Sequence, residues 1–351
     1  MNASVPRGRK AVARLLFGAA LAALMAVSTG GAATAGTTVD AGPGSGSTVS
    51  SRTDAYLKDT SSDVGFEPHG AILSSFFNSP DVKVCPNTSP GCVHSNPVVG
   101  STSYIHANLR ANGPYGTGVS FGTLKAYYTT SGGGANWPGD WTPIGSRTIA
   151  VAPGGVTSTF ITWPNVPSLG HFCILLRWES ETDPMLFEGP ATSINTQYNN
   201  NIVWKNANTV SVGGGGIISD RPFALANALN VAAPFDLAVR PLAEPVPGLR
   251  LVADLGPELF ARWQRGGQQG EGIRVVGRSQ IEFADPQRAT IKGILINPGE
   301  RPVLKLSFSA AQPLQKSYGL QITQVGPLRE PGESFVVGGV DYTIEPGRPQ
   351  A

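Results

Sequence analysis

Four carboxylates fall within a short stretch, Asp54, Asp59, Asp63 and Glu67, with Ser61 and Ser62 among them. Carboxylate oxygens at loop spacing are what calcium takes as ligands, so this set could hold a structural ion that stiffens a loop, although it does not match the EF-hand pattern. A second acidic group, Glu179, Glu181 and Asp183, would complete such a site. The plainer reading of the same acids is a solvated loop that keeps the protein soluble. Glu179 and Asp183 also resemble the acid/base pair of a glycosidase, which needs a separation of roughly 5–10 Å across an aromatic cleft. Neighbouring loop acids reach that distance by chance, so the pair says little.

The second chemical candidate is the loop Trp137-Pro-Gly-Asp-Trp141. Two indoles beside a carboxylate could stack on a sugar ring, with Asp140 accepting hydroxyl hydrogen bonds. The structural alternative is that Trp137 and Trp141 cap the end of a β-sandwich through their large apolar faces. Catalytic signatures are missing: there is no HExxH zinc motif, no GxSxG elbow, no Walker loop and no CxxC pair. His69, His94, His106 and His171 stand apart from one another. Asn199-Asn-Asn201 reads as a turn, because Asn tolerates the left-handed region. Arg262, Arg265, Arg274 and Arg278 are interspersed with acids such as Glu258 and Glu271, the pattern of an ordinary charged surface.

The elements that must position these residues are strands. Residues 149–163 run from Ile149 and Val151 through Pro153-Gly154-Gly155 into Val156, Ser158, Phe160 and Thr162. Residues 293–308 repeat the pattern, from Ile294 and Ile296 through Pro298-Gly299-Glu300 into Val303, Lys305 and Ser307. Proline pre-sets φ and glycine supplies the positive-φ position, so each copy reads as a hairpin-like corner between antiparallel strands. Two copies imply two sandwiches. In the first, strands are expected at Ala71–Phe77, Ser103–Arg110, Thr123–Thr129, Trp141–Ala152, Val156–Trp163 and His171–Trp178, with a last one through Ile202 to Trp204. Ile105, Ala107 and Leu109 share one face of the second of these, and the continuously apolar Phe172–Trp178 suits a central strand covered on both faces. Eight or nine further strands are expected from Phe223 to Ile344, the last folding around a Gly338-Gly339 turn, with one short helix at Gly256–Trp263.

Residues 1–35 carry the marks of a secretory signal peptide: Arg7, Arg9, Lys10 and Arg14, an apolar Leu15–Val27, and Ala33-Thr34-Ala35 as a cleavage site. Without those four cations, 22 Lys and Arg face 24 Asp and Glu, so the exported chain is slightly acidic. That argues against nucleic acid or an anionic membrane as partner. No later apolar run is long enough for a membrane span. No lipidation cysteine follows the signal and the C-terminus is polar, so the product reads as released. Residues 36–53 form a flexible tether. The domains then read as a first sandwich at 54–210, a Gly-rich linker at 211–221 around Val212-Gly-Gly-Gly-Gly-Ile217, and a second sandwich at 222–346. Export permits a disulfide. Cys85 and Cys92 bracket a turn-forming spacer and are the favoured pair, leaving Cys173 buried as a small hydrophobe; Cys173 bonding to one loop cysteine is the alternative.

Asn108-Leu-Arg-Ala-Asn-Gly-Pro, the Ala152-Pro-Gly-Gly turn, the strand to Trp163 and Gly170-His-Phe-Cys-Ile-Leu-Leu-Arg-Trp-Glu-Ser resemble bacterial extracellular immunoglobulin-like modules of the CARDB type. The resemblance covers residues 100–180 best and 290–325 more loosely. It implies an all-β fold and a spacer, adhesion or accessory role beside other domains, although no catalytic companion is recognisable here. The expectation is a secreted, non-catalytic binding or scaffold protein whose partner is an extracellular protein or glycan. It has no cofactor beyond the calcium already named. A glycan-binding protein using Trp137 and Trp141 is the alternative, and a secreted hydrolase with a non-standard site the third reading.

Overall fold

A computed structural model describes residues 53–69, 75–116, 118–167, 172–212, 217–332 and 334–347. The expected signal peptide, nearly all of the tether, part of the Ala71–Phe77 strand, His171 and the four consecutive glycines lie outside the described residues. The described residues are nearly all β, with two short helices, and form two sandwiches in tandem within the compact unit Ser50–Ala351.

The first sandwich contains β1 (Val82–Cys85), β2 (Ser103–Arg110), β3 (Ser120–Thr130), β4 (Thr142–Val151), β5 (Val156–Trp163), β6 (Phe172–Glu179), the short helix α1 (Thr192–Tyr198) and β7 (Ile202–Lys205). A three-stranded sheet β1-β2-β5 faces a four-stranded sheet β4-β3-β6-β7. The chain keeps to one sheet from β1 to β2, from β3 to β4 and from β6 to β7, and crosses to the facing sheet at β2–β3, β4–β5 and β5–β6, which gives the immunoglobulin-like Greek key. Ile105, Ala107 and Leu109 point inward along β2 as their alternation requires, against Ile174, Leu176 and Trp178 of β6. The other side chains of β6, Cys173 and Leu175, belong to a separate cluster with Phe77, Trp141 and Trp204. This second cluster explains why β6 is apolar on both faces.

The second sandwich contains β8 (Ala207–Val212), β9 (Ile217–Ala224), β10 (Ala233–Pro241), β11 (Leu249–Asp254), helix α2 (Gly256–Arg265), β12 (Gly270–Glu271), β13 (Ile273–Val275), β14 (Gln280–Phe283), β15 (Thr290–Ile296), β16 (Val303–Ala310), β17 (Tyr318–Gly326) and β18 (Phe335–Pro346). Its sheets run β12-β15-β10-β17-β18-β8 and β13-β14-β11-β16-β9. Helix α2 carries Pro257 in its first turn and buries Leu259, Phe260 and Trp263, where the short helical pattern predicts a helix.

The two Pro-Gly repeats do the same job in both sandwiches, but not the one expected. β4 pairs with β3 while β5 pairs with β2; likewise β15 pairs with β10 while β16 pairs with β11. Each turn is an arch that carries the chain from one sheet to the facing one, not a hairpin within a sheet. Gly154 and Gly299 sit at φ of 71° and 64°, the left-handed position the turn demands. The Gly338-Gly339 turn is also absent, since β18 runs straight through it. Those glycines are there for close approach: a Cβ on Gly338 would lie 1.9 Å from the carbonyl oxygen of Gly133.

The boundary between the sandwiches differs from the expected linker at 211–221. β7 ends at Lys205 and β8 begins at Ala207, already paired in parallel with β18, so the chain crosses at Asn206 alone. Asn206 is fully buried and bonds both sides, donating from Nδ2 to the Gly132 and Gly339 carbonyls while its Oδ1 accepts from the Trp204 indole.

Candidate functional site

The segment 53–69 packs against the first sandwich through the asparagine run before β7, which is the expected turn, closed by the Ile202 N–H on the Asn199 carbonyl at 3.4 Å, and is a buried hub as well. Asn199, Asn200 and Asn201 are all fully buried. Asn200 Nδ2 donates to Asp54 Oδ1 at 3.0 Å and to the Gly65 carbonyl at 2.9 Å, and its backbone N–H donates to Glu67 Oε1 at 2.8 Å. Asn199 Nδ2 donates to the Phe187 and Asn195 carbonyls, and Asn201 Nδ2 to that of Asp183. Amides satisfy buried backbone groups on both sides at once, which is what a segment lacking its own sheet partners requires.

This hub divides the four expected calcium ligands. Asp54 and Glu67 are bound to Asn200, whereas Asp59 and Asp63 converge on His69. The imidazole Nε2 lies 2.8 Å from Asp59 Oδ2 and Nδ1 lies 3.5 Å from Asp63 Oδ1. Asp63 also accepts the Asp59 and Gly65 backbone N–H groups. Burial by itself would lower the His69 pKa, but hydrogen bonds and charge from the two carboxylates outweigh it and raise it to about 10. Burial pushes Asp59 up to about 7 against the pull of His69. Asp63 is held below the usual carboxylate value, its burial offset by His69 and by the two N–H groups. With both ring nitrogens facing carboxylates, His69 acts as a positively charged clamp. As a metal donor set, two oxygens and an imidazole nitrogen suit a transition ion, not calcium, which takes oxygen ligands. The converging residues therefore do not fit the calcium expectation.

The second acidic group does not complete the site either. Asp183 is buried and its Oδ2 accepts the Ala55 N–H at 2.9 Å, while Glu179 pairs with Lys125 at 2.6 Å. The imagined glycosidase pair is thus engaged in two separate structural contacts.

In the tryptophan loop, Trp141 is buried and its indole N–H donates to Thr192 Oγ1 at 2.8 Å. Trp137 is half-buried, with the Arg177 guanidinium 4.0 Å above its ring and Tyr127 edge-on at 5.2 Å. Asp140 accepts the Asn136 N–H at 2.6 Å and lies 3.6 Å from Arg301. The structure therefore corrects the two-indole platform: one ring is in the core, the other is covered, and the carboxylate braces its own loop. Arg301 extends this bracing to the second sandwich, donating to the Gly134 and Thr130 carbonyls. Sequence spacing alone could not reveal that Arg177 and Arg301 converge on this loop.

The described histidines are similarly engaged: His94 Nδ1 accepts the Val84 N–H and His106 Nε2 contacts the Asn87 carbonyl. Cys85 and Cys92 form the expected disulfide, and Cys173 is free and buried. A groove of about 400 Å³ lies at one end of the second sandwich, bordered by Pro247, Gln312, Leu314 and Tyr318, and none of the nominated residues lines it. No helix among the described residues is long and apolar enough to cross a membrane.

No family model matches the sequence, and no curated relative matches it. Among solved structures, the chain is similar to the collagen adhesin of S. aureus, with 11% identity over 79% of this chain and 96% of that one, at a TM-score of 0.23. It is similar to the CupB6 tip adhesin from Pseudomonas aeruginosa, with 10% identity over 84% and 100% and a TM-score of 0.18. Red sea bream transglutaminase gives 9% identity over 75% of this chain and 30% of that one, at a TM-score of 0.21, so the chain spans under a third of its length. Likenesses this slight carry no weight here; the strand order is what identifies the fold.

Proposed function

We propose that this is a secreted bacterial protein, built of extracellular modules like those of the CARDB type, that acts without catalysis as an adhesion or accessory scaffold. The observation that carries the reading is the junction between the sandwiches. The run Ser131-Gly132-Gly133-Gly134 lies against the second sandwich, with Ala224 N–H donating to the Ser131 carbonyl and Gly133 N–H to the Ala224 carbonyl, both at 2.9 Å. A Cβ on Gly132 would lie 2.2 Å from the Ala224 carbonyl oxygen. Backbones this close hold two sandwiches as one body, which suits presenting loops and edge strands at a fixed spacing. The polar residues that could have formed a catalytic constellation are instead paired internally.

The partner in this reading is an extracellular protein or a glycan. The test is retention of the labelled exported chain, residues 36–351, on intact cells before and after treatment with protease or periodate. Loss of retention after protease supports a protein partner, and loss after periodate a glycan. No retention on any cell surface, together with hydrolysis of an extracellular polymer, would replace the scaffold reading with the enzyme.

A further inference from the structure

A half-buried lysine stands at the junction between the sandwiches without an ion-pair partner among the described residues. Lys205 ends β7 and forms an isolated antiparallel bridge with Asn78. The flanking backbone hydrogen bonds run from Ser79 N–H to the Trp204 carbonyl at 2.9 Å and from Asn206 N–H to the Phe77 carbonyl at 2.7 Å. That pattern makes Asn78 and Lys205 a non-hydrogen-bonded pair, the closer of the two antiparallel kinds, with side chains on one face and Cβ atoms about 5 Å apart.

The three participating groups are unusually arranged. Lys205 Nζ makes one hydrogen bond, to the Ser79 carbonyl at 3.1 Å, and no carboxylate lies within ion-pair distance of it among the described residues. Burial lowers its pKa to about 8, with the more distant Asp341 charge opposing, so an appreciable share is free amine near neutral pH. Asn78 Oδ1 is buried without a hydrogen-bond donor, so the amide of the residue that bridges Lys205 has an unpartnered carbonyl. Asn78 Nδ2 donates to Asp341 Oδ2 at 2.9 Å, and Gln321 Nε2 fixes the other carboxylate oxygen at 2.8 Å. A nucleophilic amine, an amide and a carboxylate on the amide nitrogen are the components of acyl transfer.

We propose that Lys205 and Asn78 join in an intramolecular amide bond, with Asp341 moving the proton and ammonia leaving. The neutral Lys205 amine attacks Asn78 Cγ, forming the Nζ–Cγ bond. Asp341 takes a proton from the attacking nitrogen and delivers it to Nδ2, the Cγ–Nδ2 bond breaks, and ammonia departs. No electrons are exchanged with an outside reagent, and no co-reactant is needed. The product replaces a partly desolvated, poorly compensated ammonium with a neutral amide, which removes a desolvation penalty and so favours the forward direction. The covalent tie would fasten the segment before β1 to the last strand of the first sandwich, using a carboxylate from the second. The bond would therefore form only once both sandwiches are docked.

The experiment is peptide mapping of the purified full chain by mass spectrometry. The expected result is one branched tryptic species containing both Asn78 and Lys205, lighter than the two separate peptides by about 17 Da for the lost ammonia, with no cleavage after Lys205. Asp341→Asn, which keeps the shape of the side chain, should fold with an unchanged circular-dichroism spectrum yet return the two unlinked peptides at full mass. Lys205→Arg should do the same. Full-mass, separate peptides from wild-type protein held folded for days at pH 9 would overturn the proposal. Linked peptides in Asp341→Asn would remove Asp341 from the reaction.

Discussion

The Arg177 guanidinium lies 4.0 Å above the Trp137 ring, and Glu188 closes its far side at 2.6 Å. Arg177 is a nearly fully buried cation on β6, and the indole is part of what makes that burial tolerable. Trp137 is thus occupied before any ligand arrives.

Replacing Trp137 with Ala should then act on stability and not on recognition. Removing the stacked ring and exposing the Arg177 face should destabilise the protein by about 1–3 kcal/mol. Urea unfolding checks this, alongside retention on glycan-coated beads. An unchanged urea midpoint with lost glycan retention would reinstate the sugar-binding loop.

His69 gives a pH dependence of definite sign. Its pKa is raised from 6.5 to about 10 by Asp59 and Asp63, so the clamp's contribution is fully present below pH 6.5 and is lost as the pH rises through 10. The thermal midpoint of wild type minus that of His69→Gln should therefore shrink across that window. A difference that stays constant from pH 6 to 10 would show that the ring is not charged in the folded state.

The same clamp bears on calcium. A charged imidazolium already sits between the carboxylates that an ion would have to bring together, so adding calcium or EDTA should leave the wild-type midpoint within about 1 °C. A rise of several degrees with calcium would mean that His69 swings out and the acids close on the ion.

The thiols can be counted directly. Burial pushes the Cys173 thiol up to about 11, and Cys85 is bonded to Cys92, so the native chain should react with no thiol reagent at pH 8. One equivalent should react in denaturant, and three after reduction. Native reactivity would place Cys173 at a surface.

Strands are legible where alternation or a continuous apolar run reflects local burial: β2 and β5 fall on their expected residues, and β6 covers all the described residues of its expected range and one more, Glu179. Helix α1 and strand β8 are not, because Thr192–Tyr198 and Ala207–Val212 are stabilised by distant partners: Trp141 for one, β18 for the other. The Pro-Gly turns signal a reversal of direction but not its destination, so an arch between sheets and a hairpin within one share the same sequence pattern. At the acidic loop, residue type marked Asp59 and Asp63, while His69 and the Asn199–Asn201 hub were missed. The hub depends on Asp54, more than 100 positions from Asn200 in sequence, whereas His69 meets its near neighbours Asp59 and Asp63 only through the fold of the loop between them. The glycines misled most. Gly338 reads locally as a turn, and only the facing backbone of Gly133 shows why no side chain fits.

That contact supplies the last prediction. A Cβ on Gly133 would lie 2.2 Å from Gln324 Cβ. Gln324 cannot swing aside without breaking a pair of bonds, its Nε2 donating to the Ala226 carbonyl at 2.6 Å and its Oε1 accepting the Ala226 N–H at 3.0 Å. Gly133→Ala must therefore push the sandwiches apart, at a cost of about 1–3 kcal/mol or more from overpacking. Gly154→Ala is the control: its Cβ meets open space, and the penalty is the positive φ alone, roughly 1–2 kcal/mol. The calorimetric signatures should differ in kind. Gly154→Ala should lower the midpoint of a single transition, because it weakens an arch within one sandwich and leaves the coupling intact. Gly133→Ala should broaden or split that transition, because each sandwich has its own core and loses only the contact that makes the two unfold together. A single sharp transition in both variants would mean that the coupling runs through Asn206 and Arg301, and that the glycine contact merely fills space.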